Sequence, residues 1–283
     1  MDNITIKAPA KINLYLDVIV KRADGYHELR MIMQSISLFD DINISKADVD
    51  IEVKCKAGYV PQGEKNIAYR AAKLMIEHFG LKEGVRISIN KRIPVAAGLA
   101  GGSTDAAAVM KGINDLFGIK ADNQLLAQLG KQIGADVPFC IMGGTAIAEG
   151  IGEVLTTLKP FSGVDIVLIK PDFGVSTAYV FKKYSEHYIS IRPDINRLIK
   201  AMQERNLSDV GSYLFNSLEK VTAEEYSVVK DIKTILNQNG AIGSLMSGSG
   251  PSVFGIFDNK SKAQQAFKVL KQKFRNTYLV KTY

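Results

Sequence analysis

The chain has 283 residues, with 36 Lys and Arg against 29 Asp and Glu for a formal charge of +7, and it is 46% hydrophobic and 23% charged. That is a globular composition, which excludes wholesale disorder, and the length suits one large domain or, better, two smaller ones. Two distant cysteines (Cys55, Cys140) and three histidines (His27, His78, His187) exclude a disulfide scaffold and a Cys/His zinc site; both cysteines read as small core residues in a reducing compartment.

In chain order, Met1 to Lys7 lacks the layout of a signal peptide, and no run of 18 apolar residues follows anywhere, so a cytoplasmic location with no membrane partner is expected. Ile4 to Val20 alternates as strand, with Lys11, Asn13 and Tyr15 on one face and Ile12, Leu14 and Leu16 on the other. Asp24-Gly25 marks a turn, and Met31–Phe39 and Asp50–Cys55 read as further strands. Asn66–Phe79 has the helical period through Ile67, Ala71, Leu74, Met75 and His78. Val85–Lys91 reads as a strand, followed by a glycine-rich stretch and helices over Thr104–Phe117 and Asn123–Ile133.

Gly143 to Gly152 reads as a turn-rich patch, and Lys159-Pro-Phe-Ser-Gly163 as a linker, dividing the chain into residues 1–159 and 160–283. Beyond it come a strand at Asp165–Lys170, helices at Ser176–Tyr184, Asp194–Glu204, Leu207–Tyr213 and Glu224–Asn237, a strand near Ser244, a strand at Ser252–Phe257, a helix at Lys262–Phe274 and a last strand from Thr277. The mixture indicates α+β, and the later half is compatible with a ferredoxin-like layout.

The positive charge is local. Residues 259–283 hold Lys260, Lys262, Lys268, Lys271, Lys273, Arg275 and Lys281 with no acid, so the preceding residues are formally neutral. These lysines read as the solvated face of an amphipathic helix, and no nucleic-acid partner is expected.

Four segments carry chemistry. Pro94-Val95-Ala96-Ala97-Gly98-Leu99-Ala100-Gly101-Gly102-Ser103-Thr104 places glycines and hydroxyls where a helix begins. Unpaired N–H groups there bind phosphate, and glycine lets the backbone approach it. The segment is neither a Walker A loop, having no lysine, nor a GxGxxG fingerprint. Ala8-Pro-Ala-Lys-Ile-Asn-Leu14 sets Lys11 beside Asn13, Gly134-Ala-Asp-Val-Pro-Phe139 sets Asp136 in an apolar stretch, and Met246-Ser-Gly-Ser-Gly-Pro-Ser252 is a second glycine/serine loop. Taken singly, each also reads as ordinary structure: a turn, an exposed strand lysine, a structural acceptor.

In this order and spacing the four segments together resemble the GHMP small-molecule kinase superfamily, over most of the chain. The resemblance implies two domains, a ribosomal-protein-S5-like N-terminal one and a ferredoxin-like C-terminal one. It also implies ATP bound through residues 94–104, with Mg²⁺. Ala8–Leu14, Asp24-Gly-Tyr-His-Glu28 and Gly134–Phe139 are further similar to the branch that phosphorylates the 2-hydroxyl of a CDP-linked methylerythritol, an intermediate of the non-mevalonate route to isoprenoids.

Carried onto this chain, the resemblance makes Asp136 the base and Lys11 its neighbour, stabilising the developing alkoxide. Tyr26 would stack on the cytosine, His27 would hydrogen-bond it and Phe181 would form the other face of the sandwich. Asn13 would lie near the substrate hydroxyls, Asn66 near the adenine, and Ser103 or Thr104 would ligate Mg²⁺. With no lysine in the loop, charge compensation would fall to the helix dipole, the backbone amides and the metal. A monomer or weak homodimer acting on a small molecule is expected. The competing readings are a GHMP kinase for another small alcohol and a non-catalytic anion-binding protein.

Overall fold

A computed structural model describes residues 2–57, 61, 63–184 and 192–283; His187 lies outside them. The chain divides into two compact units: residues 1–10, 38–94 and 100–143, and residues 11–37, 95–99 and 144–283. Two long strands, β1 (Asn3–Lys21) and β2 (His27–Ala47), contribute to both.

In the first unit, β3 (Ile51–Cys55) and β4 (Gly84–Asn90) join β2 and β1 in the order β3-β4-β2-β1. β4 runs antiparallel to β2, pairing Asp41 through Ala47 with Asn90 through Gly84. α1 (Ile67–Phe79) begins where the Asn66 side chain accepts from Ala68 N and ends at Gly80, whose left-handed φ of 61° suits glycine. α2 (Gly101–Leu116), α3 (Asn123–Gly130) and α4 (Val137–Met142) complete the unit. Ala68, Ala71, Ala72 and Met75 of α1 and Ala106, Ala107, Val109, Met110 and Ile113 of α2 share one core with Ile42, Ile44, Val85, Ile87 and Ile89 of the sheet. The alanines permit close packing. At Gly112 an added Cβ would stand 2.4 Å from Ile44 Cδ1, so any larger residue would require the buried Ile44 side chain to shift.

The second unit contains two sheets. β5 (Thr145–Gly150) pairs with the first half of β2 and with β6 (Val154–Thr157). The other sheet is fully antiparallel and contains β7 (Asp165–Ile169) with three later strands. α5 (Thr177–Tyr184), α6 (Ile195–Glu204) and α7 (Leu207–Tyr213) follow, then the two-residue β8 (Phe215–Asn216), which pairs in parallel with Tyr15 and Leu16 of β1. Next come α8 (Glu219–Glu225), α9 (Val228–Gln238), β9 (Gly243–Met246), β10 (Val253–Phe257), α10 (Lys260–Lys273) and β11 (Thr277–Lys281). The sheet order β11-β7-β10-β9 is that of a ferredoxin-like split βαβ arrangement, as the sequence suggested.

Three expectations are corrected. Gly143–Gly152 is no turn patch: Thr145–Gly150 is strand, and only Gly150 and Gly152, with φ of 70° and 111°, make the turn into β6. The helix expected over Glu224–Asn237 is two helices, broken at Tyr226-Ser227. Val137–Met142, which had no assigned structure, is helix.

Candidate active site

In the first unit, the glycine-rich loop opens into α2. Ala100, the residue before the helix, is left-handed at φ 55° and offers no side-chain cap, and Thr104 N donates to its carbonyl at 2.9 Å. The amides of Gly101, Gly102 and Ser103 therefore precede the first intrahelical bond, at the positive end of a 16-residue helix. An added Cβ on Gly102 would meet Ile67 Cγ2 at 3.3 Å, and one on Gly134 would meet Ile67 Cδ1 at 3.8 Å. The start of α1 thus brings together the start of α2 and the Gly134–Asp136 segment. Asp136 occupies the N-cap position of α4; its backbone carbonyl accepts from Cys140 N at 3.1 Å, and its half-buried carboxylate is not used in capping.

Asn66 is committed structurally. Its Oδ1 accepts from Ala68 N and its Nδ2 donates to Pro61 O, both at 2.8 Å. Thr104 is buried, and its hydroxyl has no partner among the described residues, whereas Ser103 is half-buried and reaches solvent. Among the described residues no three His, Cys, Asp or Glu side chains cluster as a metal site.

In the second unit, three of the four motif segments meet. Lys11 and Asn13 share a strand face, as their alternation suggested, and the Lys11 ammonium donates to Asn13 Oδ1 at 2.8 Å; both are buried. Lys11 N donates to Leu99 O at 3.2 Å. Ser247 Oγ donates to Gly98 O at 2.9 Å. A Cβ on Gly98 would lie 2.1 Å from Ser247 O, and one on Gly248 would lie 3.2 Å from Gly98 O and 3.5 Å from Asn13 Oδ1. Glycine is required at Gly98 both by this contact and by its φ of 73°. Asn216, which the sequence reading passed over, holds the second loop by donating to Met246 O and Gly248 O, each at 2.8 Å.

A third cluster, also in the second unit, surrounds His27. Its ring stacks on Phe181 (centroids 5.2 Å apart, 27° between planes) and meets Tyr184 edge-on. His27 is only 8% exposed, and its Nε2 has no partner among the described residues. Burial, then the nearby Lys21 charge, lowers its pKa, so the imidazole is neutral at pH 7. Tyr26 is 61% exposed at the turn. Tyr184 was missed by sequence reading; its spacing of three from Phe181 on one helix was the available signal.

The described residues include no helix long and apolar enough to cross a membrane. Family models for the GHMP kinases N terminal domain and the GHMP kinases C terminal match residues 66–144 and 198–276. The chain belongs to the GHMP kinase family. It is 55% identical over 282 residues to the 4-diphosphocytidyl-2-C-methyl-D-erythritol kinase of Acetivibrio thermocellus, covering all of both chains, and 48% identical to that of Clostridium botulinum, covering 99% and 100%. Its fold matches a crystal structure of 4-(cytidine 5'-diphospho)-2C-methyl-D-erythritol kinase with TM-score 0.84 at 33% identity, covering 99% and 100% of the two chains. Homoserine kinase from Cytophaga hutchinsonii shares the fold at TM-score 0.78 and 19% identity, over 100% and 95%. Within the GHMP kinases the chain belongs to the branch these cytidyl-substrate kinases form.

Proposed function

We infer that this chain transfers the γ-phosphoryl group of ATP to the 2-hydroxyl of 4-diphosphocytidyl-2-C-methyl-D-erythritol, a step of isoprenoid biosynthesis by the non-mevalonate route. The observation that carries this reading is the meeting of Lys11 and Asn13 with Gly98–Leu99 and Ser247–Gly248, on the loop that runs directly into the open N-terminus of α2. In this reading residues 1–159 supply the phosphate loop and the catalytic pair, and residues 160–283 supply Phe181 and the second glycine loop.

The phosphates of ATP lie against the amides between Gly98 and Ser103, where the helix dipole and unpaired N–H groups favour an anion. Pro94 to Ala97 form the approach to that cradle. Ser103 is the accessible protein oxygen that would help hold Mg²⁺, which would supply charge neutralisation to the transferring phosphoryl group. Asp136 accepts the proton of the 2-hydroxyl. The hydroxyl oxygen bonds to the γ-phosphorus as the bond to the β–γ bridging oxygen breaks, and ADP leaves. Lys11 stabilises the alkoxide as it develops, and Asn13 orients the polyol. His27 presents to the base a neutral imidazole whose Nε2 has no partner among the described residues, and Phe181 and the exposed Tyr26 supply the two faces of the sandwich. Asn66 shapes the adenine side by fixing the start of α1.

The test is ADP release from ATP, Mg²⁺ and the cytidine substrate. Asp136→Asn lowers kcat by about 10²–10⁴, the contribution of a positioned base. Retention of activity within about threefold, the scale of an ordinary surface change, would remove Asp136 from the mechanism.

A further inference from the structure

The phosphate loop contains no lysine, yet one lies buried at its root. Lys91 follows β4 directly, and its side chain is 3% exposed. Its ammonium donates to Asp40 Oδ2 at 2.5 Å, to Asp105 Oδ2 at 2.8 Å and to Gly101 O at 3.3 Å. An ammonium has three donors, and these three acceptors use all of them. Lys91 therefore has no hydrogen left for a nucleotide phosphate, and what it holds is the backbone. The other oxygen of Asp40 accepts from Arg92 N and Ile93 N, at 2.5 and 2.8 Å. The same cluster thus grips the chain just before the loop, at residues 92–93, and again at Gly101, where the loop turns into α2. The fit at Gly101 is close: an added Cβ would stand 3.1 Å from Ile93 Cγ2 and 3.3 Å from Lys91 Nζ. Between the two grips, Ala96 and Ala100 are non-glycine residues held at φ of 51° and 55°, a conformation that must be imposed by the surroundings.

We propose that Lys91, held by Asp40 and Asp105, is a positioning residue that ties the entry of the phosphate loop to the start of α2 and so sets the loop amides for the triphosphate of ATP. The proposal rests on the loop binding phosphate, as in the function inferred above. Three variants, Lys91→Met, Asp105→Ala and Asp105→Asn, are compared with the wild type at 25 °C. KM is measured for ATP and for the cytidine substrate, and the binding of adenylyl-imidodiphosphate is followed by calorimetry, with folding checked by circular dichroism.

Lys91→Met raises the KM for ATP and the Kd for the analogue at least tenfold, and shifts the KM for the cytidine substrate less than twofold. Asp105→Ala raises both ATP constants at least fivefold. Asp105→Asn keeps an acceptor for the ammonium and restores them to within about threefold of the wild type. A folded Lys91→Met protein with both ATP constants within twofold of the wild type overturns the proposal. If Lys91→Met does not fold, equal ATP constants for Asp105→Ala and Asp105→Asn overturn it. A wild type that binds the analogue but does not phosphorylate the cytidine substrate refutes the assigned substrate instead, and the calorimetry still decides the role of Lys91.

Discussion

The cluster beneath the phosphate loop holds two carboxyl groups and one ammonium, all buried, and this makes the stability of the protein depend on pH in a defined way. Burial first, and the neighbouring Asp40 charge after it, push the Asp105 carboxyl from 3.8 up to about 8, against the opposing pull of Lys91. Between those two values the folded protein keeps a proton that the unfolded chain has released, so stability falls as pH rises from about 4 to about 8 and the effect is complete above that. One unit of such a shift corresponds to about 1.4 kcal/mol, so the two units between pH 5 and pH 7 remove about 3 kcal/mol. Asp105→Asn abolishes the titration. Its carbonyl oxygen faces Lys91, and its NH₂ takes the position of Oδ1, which has no partner among the described residues. That orphaned donor costs about 1–3 kcal/mol at every pH, an offset rather than a slope. Wild type and variant are melted at pH 5, 6, 7 and 8 at constant ionic strength, followed by far-ultraviolet circular dichroism because the chain has no tryptophan. The melting temperature of the variant relative to the wild type rises by about 5 °C or more between pH 5 and pH 7, at roughly 2–4 °C per kcal/mol. An offset that stays constant within about 1 °C, well below that expected shift, would refute the buried proton.

Two further perturbations test the neighbouring groups. Gly98→Ala places a Cβ 2.1 Å from Ser247 O at a φ of 73° and eliminates detectable ATP turnover; Gly80→Ala, at a φ of 61° with nothing within 4 Å, costs about 1–2 kcal/mol of stability and leaves turnover intact, which a melting curve beside the activity assay will show. Phe181→Ala removes the stacked partner of His27 and raises the KM for the cytidine substrate about tenfold, at a stacking worth of about 1–3 kcal/mol, while the KM for ATP stays within twofold in steady-state kinetics.

What was legible in the sequence depended on whether the signal was local. The shared face of Lys11 and Asn13 could be read because a strand alternates with a period of two, and the loop at 94–104 because glycine and hydroxyl residues before an alanine run mark a helix start. β5 was hidden because Thr145-Ala-Ile-Ala-Glu149 includes two alanines, which are depleted in strands, and is bracketed by glycines, whose positive φ values lie outside the strand or at its end. α4 was hidden because Val137-Pro-Phe-Cys-Ile-Met142 is apolar throughout and has no period to read. The break between α8 and α9 falls at Tyr226-Ser227, where no glycine or proline announces it.

Lys91 was illegible for a different reason. A lysine at the end of an alternating strand reads as the polar end of that strand, and what buries it is a pair of acids 51 positions before and 14 positions after it. Tertiary structure alone brings them together, and it also changes what the lysine means. In a Walker A loop the lysine reaches the phosphates from within the loop. Here the ammonium is saturated below the loop, and its charge is matched by Asp40, while Asp105 keeps its proton near neutral pH. The cluster therefore adds no net positive charge to attract ATP. Attraction falls to the backbone amides and the end of α2, whose partial charges act only at short range. A phosphate site built that way depends on the placement of its backbone more than on the charge of its surroundings. That is why one buried ion cluster tying the entry of the loop to the start of α2 matters more to it than the seven basic residues near the C-terminus, which are largely spread over the exposed face of α10.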